Sequence, residues 1–341
     1  MWYHLHQLHK TADQVWGGLA GMVAIDDAEA KGLTLPETYG IDDIPVVLQD
    51  RRFLRNGQMP YDPSMHDKMM GMTGNYPVVN GTIAPFFVVT TNLIRLRLLN
   101  GSNGSIYMLA FNDGRAFDQI ASDGGLLGGS ARIQSLRLAP GERAEIVVDM
   151  SDGQGAVLRS VASGGGDGGM MGGMMAGGPA FDFLEMRPSG SLGASPALPD
   201  QLADLPVPSA GSASKIRKFE LQMSGMGSFA QFRINGQSMD MGQISEVIEK
   251  GVAEIWEVSN SSPMAHPFHI HNTQFRILDR NGAMPEPGER GLKDTVLVNP
   301  QERVHLLIRV DHYADADRPY MYHCHILEHE DAGMMGQFTV V

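Results

Sequence analysis

Histidine is concentrated in three short segments of this chain, and this concentration indicates metal chemistry. The sequence has 12 histidines in 341 residues, and most of them fall within WYHLH, HPFHIH and HCHILEH. Imidazole is the commonest metal ligand of proteins, and it binds in its neutral form. The candidate ligands are His4, His6, His266, His269, His271, His323, His325 and His329. The others, His9, His66, His305 and His312, are expected to be ordinary core or surface residues.

The spacing within these segments divides the histidines between two faces. Side chains two residues apart lie on the same face of a β-strand. His323 and His325 would therefore share one face, and Cys324 would point to the other. In HPFHIH the last two histidines share a face, whereas the first lies an odd number of residues before them. The pattern predicts two metal centres that are joined through the backbone of Cys324.

The centre on the cysteine side is predicted to contain Cys324, His266 and His329, with Met334 close enough in sequence to approach axially. One thiolate, two imidazoles and a weak thioether form the ligand set of blue copper sites. Zinc is the alternative, but structural zinc sites usually use more cysteines in CxxC spacing. Copper is therefore the predicted metal, and the all-histidine face suits copper that binds oxygen species.

Strand-like segments separated by turn residues dominate the rest of the chain and must position these ligands. Examples are FFVVTTNLIRLRLLN from Phe86 and ERVHLLIRVD from Glu302, whereas TADQVWGGLAG is the best short helical segment. Together with the abundant glycine, these segments favour an all-β fold. The GMVAID segment has no hairpin partner nearby, so we expect it to complete a sandwich whose earlier strands are absent from this chain.

Two motifs recur in the chain at the same offset. IRLRLLNGSN around Asn100 matches EIWEVSNSS around Asn260, and PGERAEIVVD from Pro140 matches PQERVHLLIRV from Pro300. Two matches at one offset indicate a structural repeat. We infer two related sandwiches, joined by the segment 189–214, which is rich in Pro, Ala and Ser.

Charge and hydropathy argue against two classes of partner. The net charge is −13 and there is no basic tract, so nucleic acid is not an expected partner. No apolar run approaches the roughly 18 residues of a membrane-spanning helix, so no membrane partner is expected, and the chain shows no signal-peptide pattern. The single cysteine excludes an intrachain disulfide.

The motifs HPFHIH and HCHILEHEDAGMM together resemble those of the multicopper oxidases, and WYHLH is similar to a further histidine motif of that family. The resemblance covers essentially the whole chain and is nearest to the branch of bacterial laccases and copper-efflux cuprous oxidases. It implies tandem cupredoxin-like Greek-key β-sandwiches with copper as cofactor. It also implies one-electron oxidation of a small reducing substrate, reduction of O2 to water, and a periplasmic or secreted location.

The resemblance assigns roles to individual residues. The type 1 copper ligands would be His266, Cys324, His329 and Met334. His269 matches a type 2 ligand, and the type 3 ligands would be His4, His6, His271, His323 and His325. Electrons would cross from Cys324 to the neighbouring histidines. Glu330 matches an acidic residue that delivers protons, so Cys324 and Glu330 are the candidate catalytic residues.

The chain departs from the family pattern near its N-terminus. Residues 1–30 would be the C-terminal remnant of a first cupredoxin domain, 40–188 a second domain without copper ligands, and 215–341 a third domain with type 1 copper. An early HWH-type motif, which supplies one type 2 and one type 3 ligand in the family, has no counterpart here. A shortened chain would be a non-catalytic type 1 copper or electron-transfer protein. Alternatively, a second polypeptide, a homo-oligomer or an unrelated side chain completes the cluster.

Methionines and carboxylates beside the type 1 site are typical of relatives that oxidise Cu(I). Met223 and Met264 look like those methionines, but Ser262 and Ser228 stand at the acidic positions. Phenolic or other organic reductants are therefore alternatives to Cu(I). The glycine-rich stretch 163–178 is interpreted as a flexible surface loop or, through its methionines, as a loop that handles soft metal ions.

Overall fold

The computed structural model describes residues 1–25, 27–161, 180–205, 210–225 and 229–341. These residues form β-strands almost throughout, arranged as β-sandwiches, so the predicted all-β, cupredoxin-like fold class is confirmed. None of the described helices is long and apolar enough to span a membrane. The glycine-rich stretch 163–178 and Ser228 lie outside the described residues.

The N-terminal segment forms a small unit of its own. Its elements are β1 (Trp2–His4), α1 (Thr11–Trp16), β2 (Ala20–Met22) and α2 (Ala28–Lys31). Strand β1 pairs with β2 in antiparallel register, with Trp2 opposite Met22. The expectation that GMVAID has no nearby partner was therefore wrong, because the WYH strand bends back through α1 to pair with it.

The next sandwich consists of a seven-stranded sheet and a five-stranded sheet. Helix α3 (Met65–Met70) lies between its first two strands. The strands are β3 (Asp43–Arg51), β4 (Tyr76–Val79), β5 (Thr82–Ile83), β6 (Phe86–Thr91), β7 (Leu93–Asn100), β8 (Tyr107–Phe111), β9 (Phe117–Ser122), β10 (Gly125–Ile133), β11 (Ser135–Leu138), β12 (Arg143–Asp149), β13 (Ala156–Ser160) and β14 (Phe181–Gly193). The sheet orders are β10-β9-β12-β7-β3-β4-β5 and β11-β8-β13-β14-β6. Strand β14 extends into the predicted linker 189–214, because it pairs in parallel with β6 as far as Gly193.

The last sandwich consists of two five-stranded sheets, ordered β16-β15-β18-β22-β20 and β17-β24-β23-β19-β21. Its elements are β15 (Ile216–Ser224), β16 (Gln231–Ile234), β17 (Glu246–Ile248), β18 (Ala253–Asn260), β19 (His266–Ile270), β20 (Phe275–Arg280), β21 (Thr295–Val298), β22 (Arg303–Arg309), β23 (Asp315–Cys324), α4 (Leu327–Asp331) and β24 (Met335–Val340). Short 3-10 turns occur at Ala210–Ser212 and Pro287–Glu289. The buried rings of Phe219, Trp256 and Phe268 pack against one another in tilted pairs between the sheets and anchor the core.

The two sandwiches use the repeated asparagine in the same way. The Asn100 amide donates to the carbonyl of Leu138 at 2.8 Å, and the Asn260 amide donates to the carbonyl of Val298 at 2.9 Å. Both asparagines are buried at the end of a strand. The amide satisfies backbone carbonyls that would otherwise be buried without a partner, so this part of the sequence repeat has a structural cause.

Candidate metal centres

Cys324 lies in a fully buried group with two histidines. Its Sγ is 3.4 Å from Nδ1 of His266 and 3.7 Å from Nδ1 of His329. Strand β19 begins with His266, β23 ends with Cys324, and α4 contains His329, so three elements supply the group. The fold thus brings together the residues that the sequence predicts for the cysteine side.

In both His266 and His329, the ring nitrogen that points away from Cys324, Nε2, lies within hydrogen-bond distance of an oxygen atom. Nε2 of His266 lies 2.8 Å from the Ser262 hydroxyl, and Nε2 of His329 lies 2.9 Å from the Met69 carbonyl. Because a carbonyl only accepts, His329 carries its proton on Nε2 and presents a lone pair at Nδ1 toward Cys324. Such fixed tautomers are typical of metal-binding histidines.

Met334 lies against this group. Its side chain is fully buried, its N–H donates to the His329 carbonyl at 2.9 Å, and its carbonyl accepts from the Cys324 N–H at 3.0 Å. These bonds keep Met334 beside both ligand candidates. The role of its thioether as an axial ligand remains a prediction.

Burial keeps the cysteine-side group uncharged when no cation is bound. Desolvation lowers the pKa of His266 well below its ordinary value and lowers the pKa of His329 to about 4. The same burial raises the pKa of the Cys324 thiol. A thiolate here therefore needs a positive charge beside it, which a bound metal ion provides.

A second compact group consists of three histidines. Nε2 of His323 lies 3.2 Å from Nε2 of His6 and 3.1 Å from Nε2 of His271. The Nδ1 atom of His323 is 3.0 Å from the Cys324 carbonyl, which places the proton on Nδ1 and leaves Nε2 as a lone pair. Burial lowers the pKa of His323 to about 3. Neutral imidazole nitrogens that converge in this way suit a shared cation.

The remaining predicted ligands border the same site without joining either compact group. The His325 ring centroid is 5.5 Å from that of His4 and 5.5 Å from that of His269. Both nitrogens of His325 are buried and have no hydrogen-bond partner within the described part of the chain. Buried polar atoms are nearly always satisfied, so these orphaned nitrogens fit a bound metal ion. We define the histidine cluster as His4, His6, His269, His271, His323 and His325.

The histidine cluster borders an open cavity of about 1020 Å³. His4, His6, His269 and His271 line the cavity together with Trp2. A small molecule can therefore reach the cluster from this side, whereas the cysteine-side group has no exposed atom.

Glu330 lies beside the histidine cluster. Its Oε2 is 3.1 Å from Nδ1 of His323, its Oε1 is 3.5 Å from Nε2 of His6, and neither contact has hydrogen-bond geometry. Burial raises the pKa of Glu330, although His6 and the Thr11 side chain oppose this rise. The carboxyl group predicted to handle protons is thus buried at the cluster.

Asp331 connects the N-terminal segment to α4, a contact that sequence reasoning missed. Its carboxylate accepts from the N–H groups of Thr11 and Ala12, both at 3.0 Å. These N–H groups begin α1, whose own N-cap residue, Lys10, makes no side-chain cap. The sequence signal was an acidic residue directly after the ligand-rich HCHILEHE segment, but its partner lies more than 300 residues away.

Several other supporting residues were also missed. Nδ1 of His269 is 2.9 Å from the Asp294 carbonyl and 3.0 Å from the Thr295 hydroxyl. Glu328 accepts from the N–H of Met72 at 2.9 Å, and burial raises its pKa to about 7. Ser262 stands at a position where Cu(I)-oxidising relatives have a carboxylate, and its hydroxyl contacts His266.

The two candidate Cu(I)-binding methionines belong to the last sandwich. Met264 is buried in its core, and Met223 packs partly buried against the same core. Their use by Cu(I) remains a prediction.

The four histidines outside the motifs make ordinary contacts. His305 lies between Asp279 at 2.9 Å and Glu257 at 3.1 Å, and His9 contacts the Asp331 carbonyl at 2.6 Å. His66 and His312 are exposed. Among the described residues, none of these four belongs to a compact group of metal-ligand atoms.

Comparison with known proteins identifies the family. A family model described as multicopper oxidase matches residues 213–341. The "Multicopper oxidase mco" of Staphylococcus haemolyticus is 32% identical over 100% of this chain and 68% of its own length. This chain is a multicopper oxidase family member. A further relative of this chain, the "Cell division protein FtsP" of Xenorhabdus nematophila, is 37% identical over 99% of this chain and 69% of its own length.

Solved structures agree with this multicopper oxidase assignment. A laccase-like multicopper oxidase, CueO, from Ochrobactrum sp. superposes with a TM-score of 0.88 and 35% identity, over 100% of this chain and 76% of that chain. A laccase from Pediococcus acidilactici gives a TM-score of 0.86 and 38% identity, over 100% and 69% of the two chains. The family implies copper, and the buried thiol with its two imidazoles is a donor set that fits copper.

Proposed function

We propose that the protein is a copper-dependent oxidase that takes single electrons from a small reductant and reduces O2 to water. The observation that carries this proposal is the adjacency of the two candidate centres. Cys324 contacts His266 and its neighbour in sequence, His323, contacts His6 and His271. Copper held by these residues would supply one-electron redox chemistry.

The residues around Cys324 would connect the two centres. One peptide bond separates Cys324 from His323, and the Cys324 carbonyl also accepts from Nδ1 of His323. Both a covalent and a hydrogen-bonded route therefore run from the thiol to the histidine cluster. Because the two side chains point to opposite faces of the chain, one segment serves both centres.

Glu330 would hold the proton that reduction of O2 consumes. Its carboxyl oxygens lie 3.1 Å from Nδ1 of His323 and 3.5 Å from Nε2 of His6, and neither oxygen has hydrogen-bond geometry to a partner in the described chain. A carboxyl group placed there can release a proton into the histidine cluster without first crossing bulk water.

The reductant would approach from the side of His329. This histidine has no exposed atom, and α3 covers its Nε2 through the Met69 carbonyl. Phenolic or other organic reductants would transfer electrons across α3, whereas Cu(I) would use methionine sulphur from Met223 and Met264. Both substrate classes belong to the proposal, as does a periplasmic or secreted location.

The histidine cluster would take further ligands from a second polypeptide or from another copy of this chain. The open cavity beside His4 would receive such a partner. Tyr3 of β1 and two residues that flank the β1–β2 sheet, Met1 and Ile25, are apolar and exposed, at 61%, 62% and 62%. Exposed apolar side chains grouped beside a cavity are typical of an interaction surface.

The second candidate function is a non-catalytic copper-binding or electron-transfer protein that uses only the Cys324 centre. The observation that favours this second function is the similarity to a relative whose name is that of a cell division protein and not of an oxidase. Metal analysis combined with an oxygen electrode separates the two. The oxidase should hold copper at both centres and consume O2 with a phenol or Cu(I). Copper at the Cys324 centre alone, without O2 uptake, would overturn the oxidase proposal.

A further inference from the structure

The turn 140–143 belongs to the sandwich formed by β3 to β14, which contributes none of the predicted metal ligands, and it reaches the histidine cluster. It connects β11 to β12 and carries the first copy of the repeated PGER and PQER motif. We propose that this turn positions two cluster histidines, His325 through direct packing of Gly141 and His269 through Arg143 and Asp294. This inference rests on the proposed function, because it concerns the same metal cluster.

Gly141 lies directly against the His325 ring. Its φ is +83°, and a Cβ at this position would lie 2.6 Å from Cδ2 of His325. Since real Cβ atoms essentially never come so close, any other residue would displace the ring. Neither nitrogen of His325 has a hydrogen-bond partner in the described chain, so packing against Gly141 is a main restraint on its orientation.

Arg143 fixes Asp294 across the interface between the sandwiches. Its two terminal nitrogens, Nη1 and Nη2, each donate to one carboxylate oxygen of Asp294 at 2.6 Å. The same nitrogens donate to the carbonyls of Gly141 at 3.0 Å and Asp123 at 2.9 Å. A buried guanidinium that donates four hydrogen bonds is rigid. Two parallel hydrogen bonds to one carboxylate also fix the orientation of that carboxylate.

Asp294 in turn orients His269. The backbone carbonyl of Asp294 lies 2.9 Å from Nδ1 of His269, and the Asp294 side-chain oxygen Oδ1 lies 3.5 Å from the same nitrogen. Thr295 links the two groups, since its hydroxyl donates to Asp294 Oδ1 at 2.9 Å and lies 3.0 Å from Nδ1. With the proton held on Nδ1, Nε2 is free to bind metal.

The second copy of the motif provides an internal comparison. Glu142 accepts from the Ala139 N–H at 2.8 Å, and its counterpart Glu302 accepts from the Asn299 N–H at 2.7 Å. The glutamate therefore builds the turn in both sandwiches. The other two positions differ, because Gly141 corresponds to Gln301 and the buried Arg143 corresponds to the exposed Arg303. Glycine and a buried arginine occur only in the copy that faces the cluster.

The test measures Cu(II) binding by the full chain carrying Cys324→Ser, so that bound Cu(II) reports on the histidine cluster. Arg143→Ala should weaken Cu(II) binding in a competition titration by about 10-fold to 100-fold and shift the electron paramagnetic resonance hyperfine pattern. Arg303→Ala is the matched control and should change the affinity less than about twofold. Equal affinities for the Arg143 and Arg303 variants would overturn the positioning role of Arg143.

Gly141→Ala gives an independent test if the arginine variant folds poorly. It should also shift the hyperfine pattern and weaken Cu(II) binding, because the new methyl group displaces the His325 ring. Gly153→Ala is its control, since Gly153 has a φ of +68° and open space around it. The same loss in both glycine variants would show that backbone strain, not ring contact, is the cause, and would overturn the role of Gly141.

A third control separates positioning from interface stability. The Lys293 ammonium pairs with Asp123 at 2.8 Å and Glu142 at 3.2 Å across the same interface, without touching a cluster histidine. Lys293→Met should lower the unfolding temperature and leave the hyperfine pattern unchanged, whereas a pattern like that of Arg143→Ala would overturn the inference. Because none of these measurements uses turnover, failure of the parent chain to consume O2 would refute the oxidase proposal and leave this inference standing.

Discussion

The Met69 carbonyl lies 2.9 Å from Nε2 of His329 and covers the outer edge of the Cys324 centre. Helix α3 is held in this position from both ends. Asp67 receives two bonds from Arg52, at 2.9 and 2.5 Å, and the N–H of Met72 donates to the buried Glu328. A reductant of the proposed oxidase would therefore meet α3 before it met a ligand.

Loosening α3 should admit larger reductants. Asp67→Ala removes both the pair with Arg52 and the capping box with Ser64, a local loss of about 1–2 kcal/mol. Amide hydrogen exchange in residues 65–72 should become faster, and kcat/KM for a bulky phenol should rise several-fold. Asp118→Ala, which removes the pair between the half-buried Asp118 and the exposed Arg132, is the control. Unchanged exchange after Asp67→Ala would contradict the role of this pair in holding α3.

The hold on α3 should depend on pH only in acid. Burial alone would raise the pKa of Asp67, but hydrogen bonds from Arg52 and Ser64 outweigh it and lower the pKa below the ordinary value of 3.8. The stabilisation is therefore fully present above the unfolded-state pKa and is lost as the pH falls through the lower folded-state value. The difference in unfolding free energy between the parent and Asp67→Asn should be constant from pH 5 to 7 and shrink below about pH 4. If this difference in unfolding free energy already shrank near pH 6, a group other than the Asp67 carboxylate would be responsible for the pH dependence.

Cys324→Ser should separate the two centres. The change removes the thiolate ligand, so the blue absorption and the oxidation of reductant should both disappear. The histidine cluster, whose nitrogens lie on the opposite face, should still bind copper. Metal analysis and visible absorption spectra check this expectation, and loss of all copper would argue against two distinct centres.

Asp331→Ala should detach α1 from α4. The carboxylate holds the N–H groups of Thr11 and Ala12, and loss of such a cap costs about 1 kcal/mol. His4 and His6 precede this helix, so the cluster should lose copper affinity while the blue absorption of the Cys324 centre persists. Limited proteolysis of the N-terminal segment should become faster. Asp13→Ala, on the exposed side of the same helix, is the control, and equal proteolysis of both variants would contradict the tether.

The ligand pattern was predictable because strand alternation is local. The pairing of Phe268 with Cys324, and of His269 with His323, puts the two sets of side chains on opposite faces, as the parity of HPFHIH and HCHILEH predicts. His329 is different, because it lies on helix α4 and not on a continuing strand. Its place beside Cys324 was predicted from the ligand set of blue copper sites, not from strand alternation.

The supporting contacts were not predictable from the chain alone. Asp331 meets Thr11, and Arg143 meets Asp294, only after distant segments have packed together. The local sequence shows the carboxylate or the guanidinium but not its partner. It therefore does not distinguish a buried, paired charge from a solvent-exposed one. The repeated motif was the one available sign, since Gly141 and Arg143 differ in environment from their counterparts in the other sandwich.

The complete burial of Cys324 has a consequence for the lifetime of the metal-free chain. Oxidants and alkylating agents attack thiolates that they can reach, and this sulphur atom is inaccessible and held in its thiol form by burial. The only cysteine of the chain is thereby protected from sulphenic acid formation and from intermolecular disulfide exchange. In the proposed periplasmic or secreted location, a newly folded molecule could thus keep its thiol intact until copper binds.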